Sequence, residues 1–381
     1  MRRWIRGYAM TDLAAPAPFA GRSLWVDAWG RLKANRAAMF SAFYLVLMVL
    51  ACLVGPWLTP HGFSAIYQDY VRVPPSLDPY PSEATIKKAV GDAAARARVE
   101  LAEWHKQDGR IVARLAAAKP IDERVTRYFD RSSTFADARV ERRSSDGSEI
   151  TLSARIEQHY FPFGTDNVGR DLLTRTLIAG RVSLAIGLLA GFVAVGIGVI
   201  YGATSGFLGG RVDEVMMRIV DILYSLPFIF FVIMLVVFFG RNFVLMFLAV
   251  GAVLWLDMAR IVRGQTLSLK RQEFIQAADA LGVSQPGILR RHIIPNTLGP
   301  VVVYMTLLVP QVIILESFLS FLGLGVQEPM SSWGVLISQG AKNIGTADWL
   351  LIFPSFFLTT TLFALNFIGD GLRDALDPKD R

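Results

Sequence analysis

Apolar residues in this chain gather into long runs that polar positions rarely interrupt. Crossing a bilayer takes about 20 residues at ~1.5 Å of helical rise. Six runs come near that length: 38–59, 177–201, 217–239, 244–260, 298–319 and 349–368. The fourth is short and carries Trp255 and Asp257. Between the first two runs the pattern changes. Ile86, Val90, Ala94, Ala97, Leu101 and Trp104 recur at three- and four-residue steps, which predicts a helix within 84–118 that Asp108-Gly109 interrupts. After Asp146-Gly147, the residues Ile150, Leu152, Ala154 and Ile156 alternate with polar ones, as in a hairpin strand.

These patterns predict an all-α polytopic membrane protein with six transmembrane helices and a small α+β insert. The expected divisions are a cytoplasmic tail over 1–37, a first span over 38–60 and an extracytoplasmic insert over 61–160. A five-span core follows over 161–371, with a cytoplasmic loop at 261–296, and then a tail over 372–381. The insert reads either as a lid or docking surface for a substrate-delivering protein, or as a spacer packed on the outer face.

Charge sets the orientation. With the N-terminus inside, the cytoplasmic segments collect Arg2, Arg3, Arg6, Arg22, Arg31, Lys33, Arg36, Arg211 and Arg218. They also collect Arg260, Arg263, Lys270, Arg271, Arg290, Arg291, Arg373, Lys379 and Arg381. The short outer loops hold Arg241 and Lys342. Basic residues mark the cytoplasmic side, whereas long loops cross regardless of charge, so both termini are expected inside. The first apolar run ends Gly55-Pro56-Trp57 without a small-residue cleavage site and reads as an uncleaved anchor.

Composition agrees: 53% hydrophobic, 19% charged, mean hydropathy +0.41. The net charge of +7 flanks the apolar runs and forms no aromatic-laced stripe, which argues against nucleic acid. One cysteine, Cys52, excludes a disulfide framework, and the four histidines show no metal-ligand spacing.

The loop at 261–296 is patterned. Gln272–Leu281 is a run of good helix formers, Gly282 stands where a left-handed cap is cheapest, and Ser284 with Pro286 can open a second helix. The product is a bent helical hairpin in the cytoplasm, with Ala277, Ala278, Leu281 and Ile288 as an apolar ridge.

Gln276-Ala277-Ala278-Asp279-Ala280-Leu281-Gly282, followed by Arg291-His292-Ile293-Ile294-Pro295-Asn296, resembles the "EAA loop" of ABC-importer permeases. Its ending is similar to that of the oligopeptide/dipeptide/nickel family. Gly164-Thr165-Asp166-Asn167-Val168-Gly169-Arg170-Asp171 is similar to a signature of that family. So are Gly209-Gly210-Arg211-Val212-Asp213, the stretch from Glu316 to Gln327, and Gly369 to Pro378. The likeness covers the first span and everything from about Phe161 onward, and it is specific to the second (C-type) permease subunit. Gln276 stands where the family usually has Glu, and the insert is longer than in ordinary members.

The resemblance implies a type I ABC-importer permease fold, a homologous second permease, two cytoplasmic ATPase subunits and an external solute-binding protein. ATP and Mg would sit on the ATPases. Independently, no Gly-x-x-x-x-Gly-Lys-Ser/Thr phosphate loop occurs, so this chain is not expected to be the enzyme. The expected ATPase-coupling residues are Gln276, Ala277, Ala278, Leu281, Gly282, His292 and Pro295. The expected translocation-path residues are Glu316, Asp221, Ser317 and Ser320, with an arginine partner as the other reading of Asp221. The substrate would be a peptide or similar small polar solute. A secondary transporter or channel would need a repeat of spans with a midplane ion site. A membrane-anchored enzyme or sensor would need a catalytic constellation or signalling domain. Neither pattern is recognisable.

Overall fold

The computed structural model describes residues 24–240 and 243–376. The rest of the expected tails, and Arg241 of the outer-loop charges, lie outside the described residues. The molecule consists of a helical bundle and a four-stranded insert joined by an aromatic neck.

Helix α1 (Leu24–Ala34) precedes α2 (Arg36–Leu58), whose first turn is capped by Asn35 accepting from the Ala38 amide at 3.1 Å. Pro56 cannot donate to the Cys52 carbonyl four residues back, which would leave that oxygen bare in hydrocarbon. Arg181 from the next long helix supplies the missing donors, to Cys52 at 2.6 Å and to Leu53 at 2.7 Å. That helix, α5 (Leu172–Leu208), is the central post of the bundle. Asp171 caps it by accepting from the Thr174 amide at 2.8 Å, and Gly209 ends it.

Helix α5 presents small residues on more than one side. Gly187 and Gly191 meet Val309 of α11 (Ile294–Phe321), whereas Gly198, Gly202 and Gly206 lie against α8 (Phe243–Leu269). A side chain at Gly202 would strike the backbone of Ala259, so the two helices touch main chain to main chain. Gly196, on the same helix, faces open space.

The third expected span is not straight. Helices α6 (Gly210–Ser225) and α7 (Phe228–Phe239) meet at a break with a bend of 86°. Pro227 disfavours helical geometry at Leu226, which is extended. The fourth run continues past the expected end at Arg260 to Leu269, as α8. Among the described residues, four helices are long and apolar enough to cross a membrane, or five if the bent pair counts as one. They are α2, α5, the continuous stretch Gln285–Phe321 and α13 (Trp349–Leu376). Their outward surfaces, such as Phe40, Phe43, Leu50, Phe192 and Phe356, are apolar and exposed, as lipid or a partner subunit requires.

The insert differs from its sequence reading in one respect. Helix α3 (Glu83–Ala97) stops where Arg98 turns left-handed at φ 57°. Leu101 and Trp104 instead belong to strand β1 (Glu100–Gln107), and Asp108-Gly109 forms the turn into β2 (Arg110–Ala116). Both turn residues have positive φ, 47° and 75°, matching the twist a two-residue hairpin needs. Helical spacing and strand position coincide here because both elements pack against one core, and Leu101 and Trp104 still reach it. Helix α4 (Thr126–Asp130) follows. Strands β3 (Phe135–Arg143) and β4 (Glu149–Ile156) then complete an antiparallel sheet of order β1-β2-β4-β3. The expected alternation is present in β4: Ile150, Leu152 and Ala154 join Ile111, Leu115, Ile86, Val90 and Phe129 in the core.

Two chain crossings form the neck. Tyr80 pairs with His159 backbone to backbone, and the Tyr67 amide donates to the Gly169 carbonyl at 3.0 Å. His61, Tyr67, Tyr70, Tyr80, His159 and Phe161 pack ring to ring, with centroids such as His61–Phe161 at 4.8 Å. Burial lowers the affinity of His159 for a proton, and His61 beside it acts in the same direction.

Two outcomes follow from this packing. Gly202→Val should splay α5 from α8 and abolish recovery of monodisperse detergent-solubilised protein, whereas Gly196→Val should be recovered normally. Because the folded-state pKa of His159 lies below its unfolded value, the neck is stable above about pH 6.5 and loosens as the pH falls through that region. Hydrogen-exchange protection in 61–80 and 157–171, taken relative to the intrinsic amide rate at each pH, should fall between pH 7.5 and 5.5, and His159→Phe should remove most of that dependence.

Candidate functional site

The elbow expected at 261–296 is built by backbone geometry first. Helix α9 (Glu273–Ala280) ends in two reverse bonds, Val283 N–H to Ala278 C=O at 3.1 Å and Gly282 N–H to Asp279 C=O at 2.9 Å. This pair closes the helix only if Gly282 is left-handed, and its φ is 78°. Ser284 occupies the expected cap position of α10 (Gln285–Ile288), but its side chain makes no capping bond. Its carbonyl instead accepts from Ile288 at 2.9 Å, and Pro286 fills the first turn.

One side of the elbow is packed and the other is open. Ile275 and Ala278 lie against Phe207, Ile288 and Ile293. Ala278, expected as a close outward contact, therefore faces the interior of this chain and holds the elbow against α5. Lys270 ties the same corner by donating to the Phe207 carbonyl at 2.6 Å. Gln276, Ala277 and Gly282 are exposed, Leu281 is 83% exposed, and Phe274 stands beside them. An apolar tip this open on a charged surface has the character of an interaction patch.

Behind the elbow, residues Leu289–Ile293 form a π-helical turn. Pro295 has no amide to offer, and Asn296 reaches back to the His292 carbonyl at 2.6 Å. His292 and Pro295 thus belong to the stem where the elbow joins α11, not to its tip. From Gln285 the stem and α11 run as one helical stretch of 37 residues to Phe321, about 55 Å long.

At the far end of α11 stands Glu316, fully buried. Its Oε1 accepts from Ser320 at 2.7 Å and from Ser332 at 2.6 Å. Ser332 also caps α12 (Trp333–Ala341), accepting from the Val335 amide at 3.2 Å. Trp333, fully buried, donates its indole N–H to the Thr176 carbonyl at 2.9 Å and its backbone amide to the Ser183 hydroxyl oxygen at 3.1 Å. Glu316 and Ser320 are therefore a strut between α11, α12 and α5, buried within this chain and not spread on a path wall. Ser317 is half-buried beside Gly334. Asp221 stands on an open face of α6 and pairs with Arg260 at 2.9 Å, the arginine partnership read from the sequence as its other role.

Two networks went unread in the sequence. Asp213 receives both Nε and Nη2 of Arg263 at 2.5 Å and the Ser205 hydroxyl at 2.5 Å, clamping α6, α8 and α5 at the elbow end. On the opposite side, Asp166 accepts from the amides of Val168 and Arg170 and from the Arg170 guanidinium at 2.8 Å. Arg170 continues to Glu328 at 3.0 Å, in the loop before α12. The signal was present: both aspartates sit inside the glycine-rich motifs whose spacing drew attention. Among the described residues no cluster of acidic, histidine or cysteine side chains could hold a metal ion.

Residues 194–381 match the family described as "Binding-protein-dependent transport system inner membrane component". Residues 23–75 match "N-terminal TM domain of oligopeptide transport permease C". The chain is 66% identical over 223 residues to the oligopeptide transport system permease protein OppC of Escherichia coli (strain K12), covering 58% of this chain and 73% of that protein. The OppC of Haemophilus influenzae is 59% identical over 237 residues, 62% of this chain and 76% of that protein. The dipeptide transport system permease protein DppC of Bacillus subtilis is 35% identical over 356 residues, 93% of this chain and 86% of that protein. Among solved structures, an inward-facing MetNI methionine ABC transporter aligns at TM-score 0.45 and 21% identity, covering 53% of this chain and 96% of that one.

The Glu316 strut makes a direct prediction. Glu316→Ala should remove both accepted bonds and lower the thermal midpoint of the purified protein, a loss of about 2–4 kcal/mol for two hydrogen bonds to a buried acceptor. Glu316→Gln keeps an oxygen at the same place and should retain most of the midpoint, with the loop 322–332 no more sensitive to protease than before.

Proposed function

The chain belongs to the OppC/DppC-type permeases of binding-protein-dependent ABC transporters, and on that premise we propose that it forms half of a translocation path for peptides, coupled to cytoplasmic ATPases through the elbow at Gly282. It is a permease component and not itself catalytic; ATP is hydrolysed on partner subunits. The remaining half of the path is a homologous second permease, two ATPases lie beneath, and a solute-binding protein delivers cargo from outside. Six spans, with both termini cytoplasmic and the insert outside, accommodate the order of the helices. The bent α6–α7 pair and α8 then serve as the third and fourth crossings.

The single observation that carries the coupling role is the open elbow on a packed base. Gln276, Ala277, Leu281 and Gly282 present the contact, while Ala278 and Ile275 anchor it to α5 through Phe207. When the ATPases close on ATP, the elbow is displaced. The stem Gln285–Phe321 carries that displacement across the bilayer as one body, with the π turn at His292 absorbing the change of direction. Its outer end holds Ser332 through Glu316, so the outer loop and α12 move with it. Two alternating packings biased by nucleotide give inward- and outward-open states. Asp221 and Arg260, on an exposed face of α6 and α8, are candidates for the path wall that meets the second permease.

Gly282→Asp tests the elbow, since no side chain is comfortable at φ 78°. The variant complex should lose at least ten-fold in peptide uptake, with ATPase subunits either released or hydrolysing without stimulation by the loaded binding protein. Normal uptake with normal ATPase association in that variant would refute the assignment.

A further inference from the structure

The insert sheet has one face in the core and one face open. Register aligns the open face in three rows. The first is Glu103, Arg114, Thr151 and Arg142; the second is His105, Val112, Ser153 and Arg139; the third is Gln107, Arg110, Arg155 and Ala136. Five arginines therefore share a surface only three rows deep, with strands about 4.8 Å apart. Arg110 and Arg155 stand directly opposite each other, a like-charge pairing that costs stability in a sheet. Three acids answer them, the first being Glu157, which contacts Arg155 at 3.8 Å. Asp137 contacts Arg110 at 3.4 Å and Arg139 at 2.8 Å, and Glu103 stands opposite Arg114. Arg114 and Arg142 are exposed and make no ion pair among the described residues. At physiological salt the screening length is about 8 Å, so the charges of this block add into one positive field.

We infer that this arginine face docks an acidic lobe of the extracytoplasmic solute-binding protein. The inference rests on the importer reading, which puts the insert outside and supplies a binding-protein partner. Three features single out that occupant. The face is flat and polar, with Val112 and Ala136 as its apolar members, so it lacks the large apolar side chains that seat a protein in a lipid interface. Anionic lipid attraction acts mainly at the cytoplasmic leaflet, the opposite side. The neck fixes the face relative to the bundle: its rings interlock, and the Arg72 amide donates to the Asp166 carbonyl within the motif that opens α5. A rigidly held surface of net positive charge, with Arg114 and Arg142 outside any ion pair among the described residues, steers and registers a partner that carries carboxylates.

The test uses the assembled importer in zwitterionic nanodiscs and its cognate solute-binding protein loaded with peptide. Arg114→Glu combined with Arg142→Glu should weaken docking at least ten-fold at roughly 50 mM salt, mainly by slowing association, and the difference should shrink to within about two-fold near 0.5 M salt. Lys87→Glu with Lys88→Glu, on the exposed side of α3, should leave docking unchanged, and basal ATPase activity should be unaltered in both. Carboxylate-to-lysine changes on the acidic lobe should restore binding to the arginine variant. Equal docking by the arginine variant overturns the face while leaving the importer reading intact. So does an equal loss with the Lys87/Lys88 variant, a salt-independent loss, or an effect confined to discs containing anionic lipid. Absence of docking by the unaltered complex overturns the importer reading and the face together.

Discussion

Everything in this bundle depends on a helix that is not allowed to stop inside the membrane. In hydrocarbon an unpaired backbone group costs several kcal/mol, so the stretch from Gln285 to Phe321 must satisfy its backbone groups from the elbow to the loop before α12. Continuity of hydrogen bonding becomes continuity of mechanics. Between Gly282 and Glu316 the regular ladder is interrupted at the π turn and at Pro300 and Pro310, so those are the places where the stretch can bend. The π turn sits beside Pro295, which withholds a donor, and the Asn296 side chain donates to the His292 carbonyl, a place where the helix is already off its ideal register.

The same rule explains the polar residues that sit among apolar ones. Arg181 belongs to an apolar helix yet is indispensable to its neighbour, since Pro56 frees a carbonyl that only a donor from α5 can reach. Asp213, with Arg263 and Ser205, fixes three helices at the elbow end, and at the other end Asp166 and Arg170 tie the loop before α5 to Glu328 in the loop before α12. Between these clamps the interface of α5 and α8 is made of glycine and alanine, where dispersion between closely approaching backbones replaces the hydrophobic effect that lipid cannot supply. The bundle is thus stiff along α5 and pinned at both ends. Its movable parts lie outside the clamps, at the elbow and in the bent α6–α7 pair.

The insert follows soluble-protein physics. It has a core of its own, a sheet with one buried and one wet face, and a neck of stacked rings where it meets the bundle. Its charges are nearly balanced along the sequence and unbalanced in space, because strand register collects arginines from three separate segments onto one side.

Much was legible from the residue order alone. Run length marked α2, α5, the stretch Gln285–Phe321 and α13, four of the six expected spans, as long and apolar enough to cross, and Gly282 with Pro286 marked where the elbow bends, because these are local properties of backbone and side chain. The β4 strand was equally readable from its alternation. Contacts between distant segments were not readable. Leu101 and Trp104 match a helix and a strand alike, and only pairing with β2 decides between them. Ala278 carries no mark of facing inward until Phe207 is packed against it. Glu316 reads as a path residue until Ser332, sixteen positions later, closes over it. The sequence by itself determined the elements and their punctuation, since those depend on neighbours a few residues apart. Only the tertiary structure decided which faces are buried and which partners polar groups find, because both depend on segments that the linear order keeps far apart.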